Sequence, residues 1–355
     1  MTAHDATDPE SNAPDPVSGV PTVPPDPPVA PATPVASPPP GSTTFTIEGR
    51  QAPALFMIGW GGSVGGIVTI AIGLLSGGGG AAPWLILAGL LLLSLGLVAG
   101  AGSQGIERQA SGRSGYAGPS PLLVFAASIP VSILAVVALG IPLGAIGLPM
   151  DGPLARLGSV IVQAFVYLGL VRLLVVDGGA LTWAGMQVRR FDRAAVGEVL
   201  AGALWAAPTI VVTIPIAAIL STLLPVTPVS PLPPTGELSG LLINLLAGAV
   251  VAPLGEELMF RAFATTAWTA SLGARRGLIR GALFFAVVHV LTISGSGASE
   301  ALAMAVVGFA SRIPVAIALG LVFQRRRSVW ASVGLHAAFN GILIVLGEAA
   351  LRSGA

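Results

Sequence analysis

The sequence predicts an all-α protein, a polytopic transmembrane helix bundle of about nine spans behind a disordered, Pro-rich N-terminal tail. Three observations carry that prediction. Hydrophobic residues make up 54% of the 355-residue chain and charged residues only 9%, where a soluble domain carries about 25% charge. Apolar stretches close to the ~20 residues that cross a bilayer recur from residue 54 onwards. The 17 basic residues, all Arg, fall mostly in every second connection between those stretches. Mean hydropathy is +0.86. The lipid bilayer is therefore the first expected partner, and nucleic-acid binding is excluded. Cys is absent, which removes disulfides and thiolate metal sites. The use of Arg without Lys points to a GC-rich coding genome, hence to a bacterial cell membrane.

Residues 1–52 form the expected tail. Thirteen of the first 40 residues are Pro, and no apolar periodicity is present. Such a segment cannot bury enough surface to fold and reads as extended, solvated chain. It lacks the basic start and early apolar run of a signal peptide.

The candidate spans are 54–76, 82–102, 121–148, 157–176, 197–224, 239–268, 278–294, 301–323 and 329–350. In the first, the pairs Gly61/Gly65 and Gly62/Gly66 have the small-xxx-small spacing that lets helices approach closely. The third is interrupted by Pro130 and Pro142. With the N-terminus cytoplasmic, 13 Arg fall on the inner side and two, Arg156 and Arg352, on the outer. Arg261 and Arg312 lie within spans. One missed span would invert every later connection, so the 13-to-2 split supports the orientation. The semi-apolar, basic stretch Leu181–Arg193 is expected at the inner membrane interface.

The sixth span contains Gly255-Glu256-Glu257-Leu258-Met259-Phe260-Arg261. An ionised side chain at mid-bilayer costs roughly 2.5–3.5 kcal/mol, so such residues face the bundle interior and have a task there. Glu257 and Arg261 are four apart and can pair along one helix face. Glu256 points about 100° away and is left free. Pro253, just before it, removes a backbone hydrogen bond, so a kink is expected there, with room for water. The seventh span carries His289 after Phe285, and the ninth carries His336 and Asn340 on one face. Two of the chain's three histidines are thus at membrane depth.

Each motif has a plainer reading. Glu257–Arg261 can be a structural ion pair, His289 a packing residue, and Arg312 a headgroup contact. Buried Glu and His also mark proton pathways, so a proton-coupled transporter is one alternative, and a non-catalytic immunity or scaffold protein is another. Against transport, the polar membrane residues cluster in the last four spans, and no inverted repeat is visible.

The order Glu-Glu-x-x-x-Arg, Phe-x-x-x-His, His-x-x-x-Asn, each in its own apolar segment across about residues 240–345, resembles the CPBP intramembrane proteases. That family includes the CAAX prenyl endopeptidases of the Rce1 type and bacteriocin self-immunity proteins. The resemblance implies an intramembrane endopeptidase acting on membrane-associated protein or peptide substrates. Its organisation would be a tail (1–52), N-terminal transmembrane helices (53–236) and a catalytic core (237–350). It implies Glu256 as general base, His289 and His336 positioning water, and His336 and Asn340 facing the oxyanion. Glu257 and Arg261 would support the site. The family has been labelled metalloprotease, and Glu256, His289 and His336 would be the zinc ligands. His-Glu-x-x-His spacing is absent, and a metal-free glutamate mechanism fits the same residues.

Overall fold

The computed structural model describes residues 46–112, 114–226, 232–291 and 293–354. Most of the Pro-rich tail, residues 1–45, lies outside the described residues, as do Arg113 and part of the connection after the fifth span. Eight helices are long and apolar enough to cross a membrane. They are α1 (Pro53–Leu75), α2 (Ala82–Ala110), α3 (Pro121–Ala145), α4 (Pro153–Val176), α5 (Arg193–Leu223), α6 (Leu238–Leu272), α8 (Ala298–Arg326) and α9 (Val329–Ser353). The shorter α7 (Ala274–Val288) lies between α6 and α8. No strand occurs among the described residues. The apolar side chains on the outside of α1, such as Ile67, Ile72 and Leu75, are exposed, which suits a surface solvated by lipid.

The seventh expected span, 278–294, is corrected by α7. Helix α6 runs on to Leu272, and Gly273 reverses the chain at a positive φ of 83°, where a side chain would be strained. Helix α7 starts at once, with Arg275, Arg276 and Arg280 in its first two turns, and ends at Val288. Its 15 residues rise about 22 Å, short of a hydrocarbon core of about 30 Å. The apolar run therefore looked longer than the helix it forms. The chain still alternates in direction, because Gln324 near the end of α8 donates to the carbonyl of Ala274 at 3.0 Å.

Further contacts gather one end of the bundle. Gln51 N–H donates to Glu107, Gln109 to the Gly178 carbonyl, and Tyr116 N–H to Ser271. Arg326 grips Glu198 through two hydrogen bonds of 2.9 Å. Trp330 Nε1 donates to the Arg189 carbonyl at 3.0 Å. These partners neighbour most of the Arg residues assigned above to one side, so the basic connections converge at a single end. The stretch Leu181–Arg193 is a run of turns at this end, and its Met186 is buried in the core. At the opposite end Thr235 N–H donates to Glu348, which also binds Arg352.

Small residues set the helix spacing. A Cβ on Gly62 would lie 2.8 Å from Gly96 Cα, so α1 and α2 touch backbone to backbone there. The Gly61/Gly65 pair, by contrast, meets open space. Gly255 performs the same service for the site: a Cβ there would lie 2.9 Å from Ala164 Cα on α4. Most of the largest fully buried side chains, among them Phe260, Phe263, Leu319 and Leu335, come from the second half of the chain. Phe125, Tyr167, Phe260, Phe284 and Phe285 form an edge-to-face aromatic cluster beside the polar residues of α6.

Candidate active site

Helix α6 is not a uniform α-helix. Wide turns with i→i+5 hydrogen bonds run over Leu246–Val251 and Leu258–Thr265. Between them the α-helical turn Ala252–Glu257 carries both glutamates. Such π segments are uncommon and concentrate at functional sites. In the wide register the N–H of residue 253 would bind the Gly248 carbonyl, as Ala252 N–H binds that of Ala247. Pro253 has no N–H. The carbonyl left over is that of Gly248, where a regular α-helix would leave that of Ala249, and Asn340 Nδ2 fills it from α9 at 2.9 Å. The distortion expected from Pro253 is present as a change of helical register.

Glu257 is fully buried, and Arg261 is 1% exposed. Arg261 Nη1 donates to Glu257 Oε1 at 3.1 Å, so the i,i+4 pair forms. The guanidinium also lies over the Phe285 ring, 4.0 Å from its centroid. The same Oε1 accepts from His336 Nδ1 at 2.7 Å. Glu257 thus holds a cation and orients an imidazole.

Glu256 points elsewhere, to the free ring nitrogens of two histidines. His289 Nε2 lies 3.3 Å and His336 Nε2 3.8 Å from Glu256 Oε2. His289 Nδ1 is 2.7 Å from the Phe285 carbonyl. A carbonyl can only accept, so Nδ1 carries the hydrogen. Nδ1 of His336 likewise donates to Glu257. With neutral rings, both Nε2 atoms present lone pairs to a carboxylate, so three acceptors converge. Such a focus asks for a donor between them: a water, a proton or a cation. Glu256 Oε2 has no hydrogen-bond partner in the structure, and neither do Glu257 Oε2 and Arg261 Nη2. The side chains of Glu256 and His289 are 17% and 26% exposed, although Glu256 Oε2 itself is buried, whereas Arg261 and Glu257 are 1% and 0% exposed.

Acceptor chemistry of this kind would suit a metal as well as a water or a proton. Among the described residues no group of three His, Asp or Glu side chains is arranged to hold a metal ion, the trio Glu256, His289 and His336 included.

The structure therefore brings together Glu256, Glu257, Arg261, His289 and His336. Asn340 is anchored on the wide turn of α6 instead of sharing a hydrogen bond with that cluster. One residue escaped sequence reasoning. Tyr167 of α4 is buried edge-on against Phe260, and its hydroxyl accepts from Gln163 at 3.2 Å. It is one of only two tyrosines in the chain, which was the available signal. Arg312 of α8, a charge within a span, donates through Nη1 to the Gly308 carbonyl of its own helix at 2.9 Å.

A helical membrane bundle with a buried carboxylate–histidine cluster is the class this fold and site define. Residues 238–342 match the family described as type II CAAX prenyl endopeptidase Rce1-like. The match covers just under a third of the chain, and the family it is similar to is one of endopeptidases. Comparison with curated proteins and with solved structures finds no match.

Proposed function

We propose that this protein is an intramembrane endopeptidase of the glutamate type. Its substrates would be membrane-associated proteins or peptides, and the Rce1-like match points to prenylated CAAX-like C-termini as one class. The carrying observation is the convergence of Glu256 with the lone-pair nitrogens of His289 and His336. A water there can donate to the two imidazoles or to the carboxylate. Glu256 takes its proton as the oxygen attacks the scissile carbonyl, then returns it to the leaving amine. His289 and His336 orient the water, Glu257 fixes the tautomer of His336, and Arg261 balances the charge of Glu257. Asn340 acts through α6 by holding the Gly248 carbonyl. Residues 237–350 are the catalytic core in this reading, 53–236 supply supporting helices, and the tail is dispensable. The reading is tested by proteolysis of candidate membrane-anchored peptides by wild type against Glu256→Gln.

No step in this scheme passes through a metal. Excess EDTA or 1,10-phenanthroline should leave turnover of the purified protein unchanged. Loss of turnover with chelator, restored by added zinc, would contradict the metal-free scheme.

The basic end of the bundle is assigned to the cytoplasm, following the Arg asymmetry. Single Cys residues introduced into this Cys-free chain provide the measurement. A Cys beside Arg326 should be protected from an impermeant thiol reagent in intact cells, and one beside Arg352 should react. The reverse pattern would invert the topology.

A further inference from the structure

The fifth span is broken near its start. Helix α5 runs regularly to Ala203, turns at Leu204 and Trp205, and resumes at Ala206. Before the break it lies backbone to backbone on α9, where Gly202 meets Ala331 and Gly334 meets Val199. After the break it runs beside α8 in the opposite direction. A groove of about 440 Å³ lies between these two helices, a volume typical of sites that hold small organic ligands. Its walls are apolar, with Trp205, Pro208 and Val212 from α5 and Pro314, Ile317 and Leu321 from α8. The one hydroxyl among its lining residues, on Thr209, is spent on the Trp205 carbonyl at 2.7 Å.

Charge stands at one end only. Arg325 and Arg326 line the groove at the basic end of the bundle. Arg326 is neutralised by Glu198 through two hydrogen bonds of 2.9 Å. Arg325 is exposed and makes no hydrogen bond or ion pair among the described residues. Trp205 Nε1, which can only donate, has no partner among them either. From Pro314 to Arg325 the α8 wall rises about 16 Å at 1.5 Å per residue, close to half of a hydrocarbon core of about 30 Å. The groove is thus one leaflet deep, apolar along its length and positive at its mouth. That pattern complements a single-leaflet amphiphile with an anionic head. A zwitterionic head would leave the charge of Arg325 unmet, and basic pockets between membrane helices select anionic lipids on this ground.

We propose that the groove between α5 and α8 is a binding site for an anionic phospholipid, its acyl chain lying along Val212 and Ile317 and its phosphate received by Arg325 and Trp205 Nε1. None of the lining residues belongs to the Glu256 focus, so the proposal stands apart from the peptidase reading.

The test uses full-length protein in liposomes with a trace of phosphatidylglycerol or phosphatidylcholine, each carrying a photoactivatable diazirine in the same acyl chain. Labelled peptides are mapped by mass spectrometry. Phosphatidylglycerol should label residues 205–212 and 314–322 about fivefold more than phosphatidylcholine, the factor one basic side chain supplies towards anionic lipid. Arg325→Gln should bring that ratio close to one, and the variant should fold because Arg325 has no partner to lose. Arg190→Gln, at an exposed Arg of the same end outside the groove, should leave the ratio unchanged. Val212→Trp, which fills the groove, should remove the phosphatidylglycerol label from 314–322. Equal labelling of the wild type by both lipids would overturn the proposal, as would an unchanged ratio in Arg325→Gln or an equal fall in Arg190→Gln. Displacement of the label by a prenylated peptide, mole for mole, would give the groove to a substrate chain and overturn it as well.

Discussion

Replacing Glu256 with Gln is expected to abolish peptide cleavage while leaving the helix bundle folded. Removing a general base lowers turnover by about 10²–10⁴-fold, and here the base also helps to hold the nucleophile. Folding is spared for a local reason. Glu256 Oε2 makes no hydrogen bond in the structure, so the substitution breaks none there. The new amide can donate to the Nε2 atoms of His289 and His336, which face it with lone pairs. Turnover and melting temperature in one detergent give both answers. A folded Glu256→Gln protein with near-normal turnover would remove Glu256 from the role of base.

The Glu257→Gln substitution should fail in the opposite way, through stability first. Glu257 Oε1 receives Arg261 and His336 at 3.1 and 2.7 Å, and both Glu257 and Arg261 are shut away from solvent. The amide removes the negative charge and strands a buried guanidinium. Breaking one side of a buried pair costs about 3–5 kcal/mol. The protein should melt at lower temperature and accumulate poorly. Activity should fall with it, since His336 loses the partner that sets its tautomer. Adding Arg261→Met to Glu257→Gln should recover much of the melting temperature, because an uncharged Gln–Met pair leaves no stranded charge. It should not recover activity, since His336 remains unanchored. If Glu257→Gln melts like wild type yet is inactive, the roles of the two glutamates are exchanged.

How far the sequence foretold this site depends on whether one helix carries the relation. Glu257 and Arg261 sit four apart on α6, so their pairing follows from helical geometry and appears at 3.1 Å. The divergence of Glu256 and Glu257 follows from the same geometry. Relations between helices were less accessible. His336 bridging both glutamates depends on the placement of α9 against α6, and no spacing encodes it. The wide turns of α6 were visible only as a Pro, and the carbonyl left over differs by one residue from the one a regular α-helix would leave. For Asn340 the motif suggested an oxyanion contact, whereas the register of α6 gives its amide a carbonyl to hold. The shortness of α7 was hidden because apolar content does not reveal where a helix stops. Gly273 and the three Arg that follow it mark its start, but nothing in the run 278–294 announces the end at Val288. Arg312 stood out as a charge in a span, and its bond to the Gly308 carbonyl four residues back is one that helical spacing allows.

The central claim is that water activated by Glu256 cleaves a peptide bond within the membrane. It is tested most directly by incubating reconstituted protein with a membrane-anchored peptide in ¹⁸O-labelled water and weighing the products. Wild type should yield one fragment whose new carboxyl group carries a single solvent oxygen, and Glu256→Gln should yield no product. Labelled product from Glu256→Gln at the wild-type rate, or wild-type product without solvent oxygen, would contradict the account.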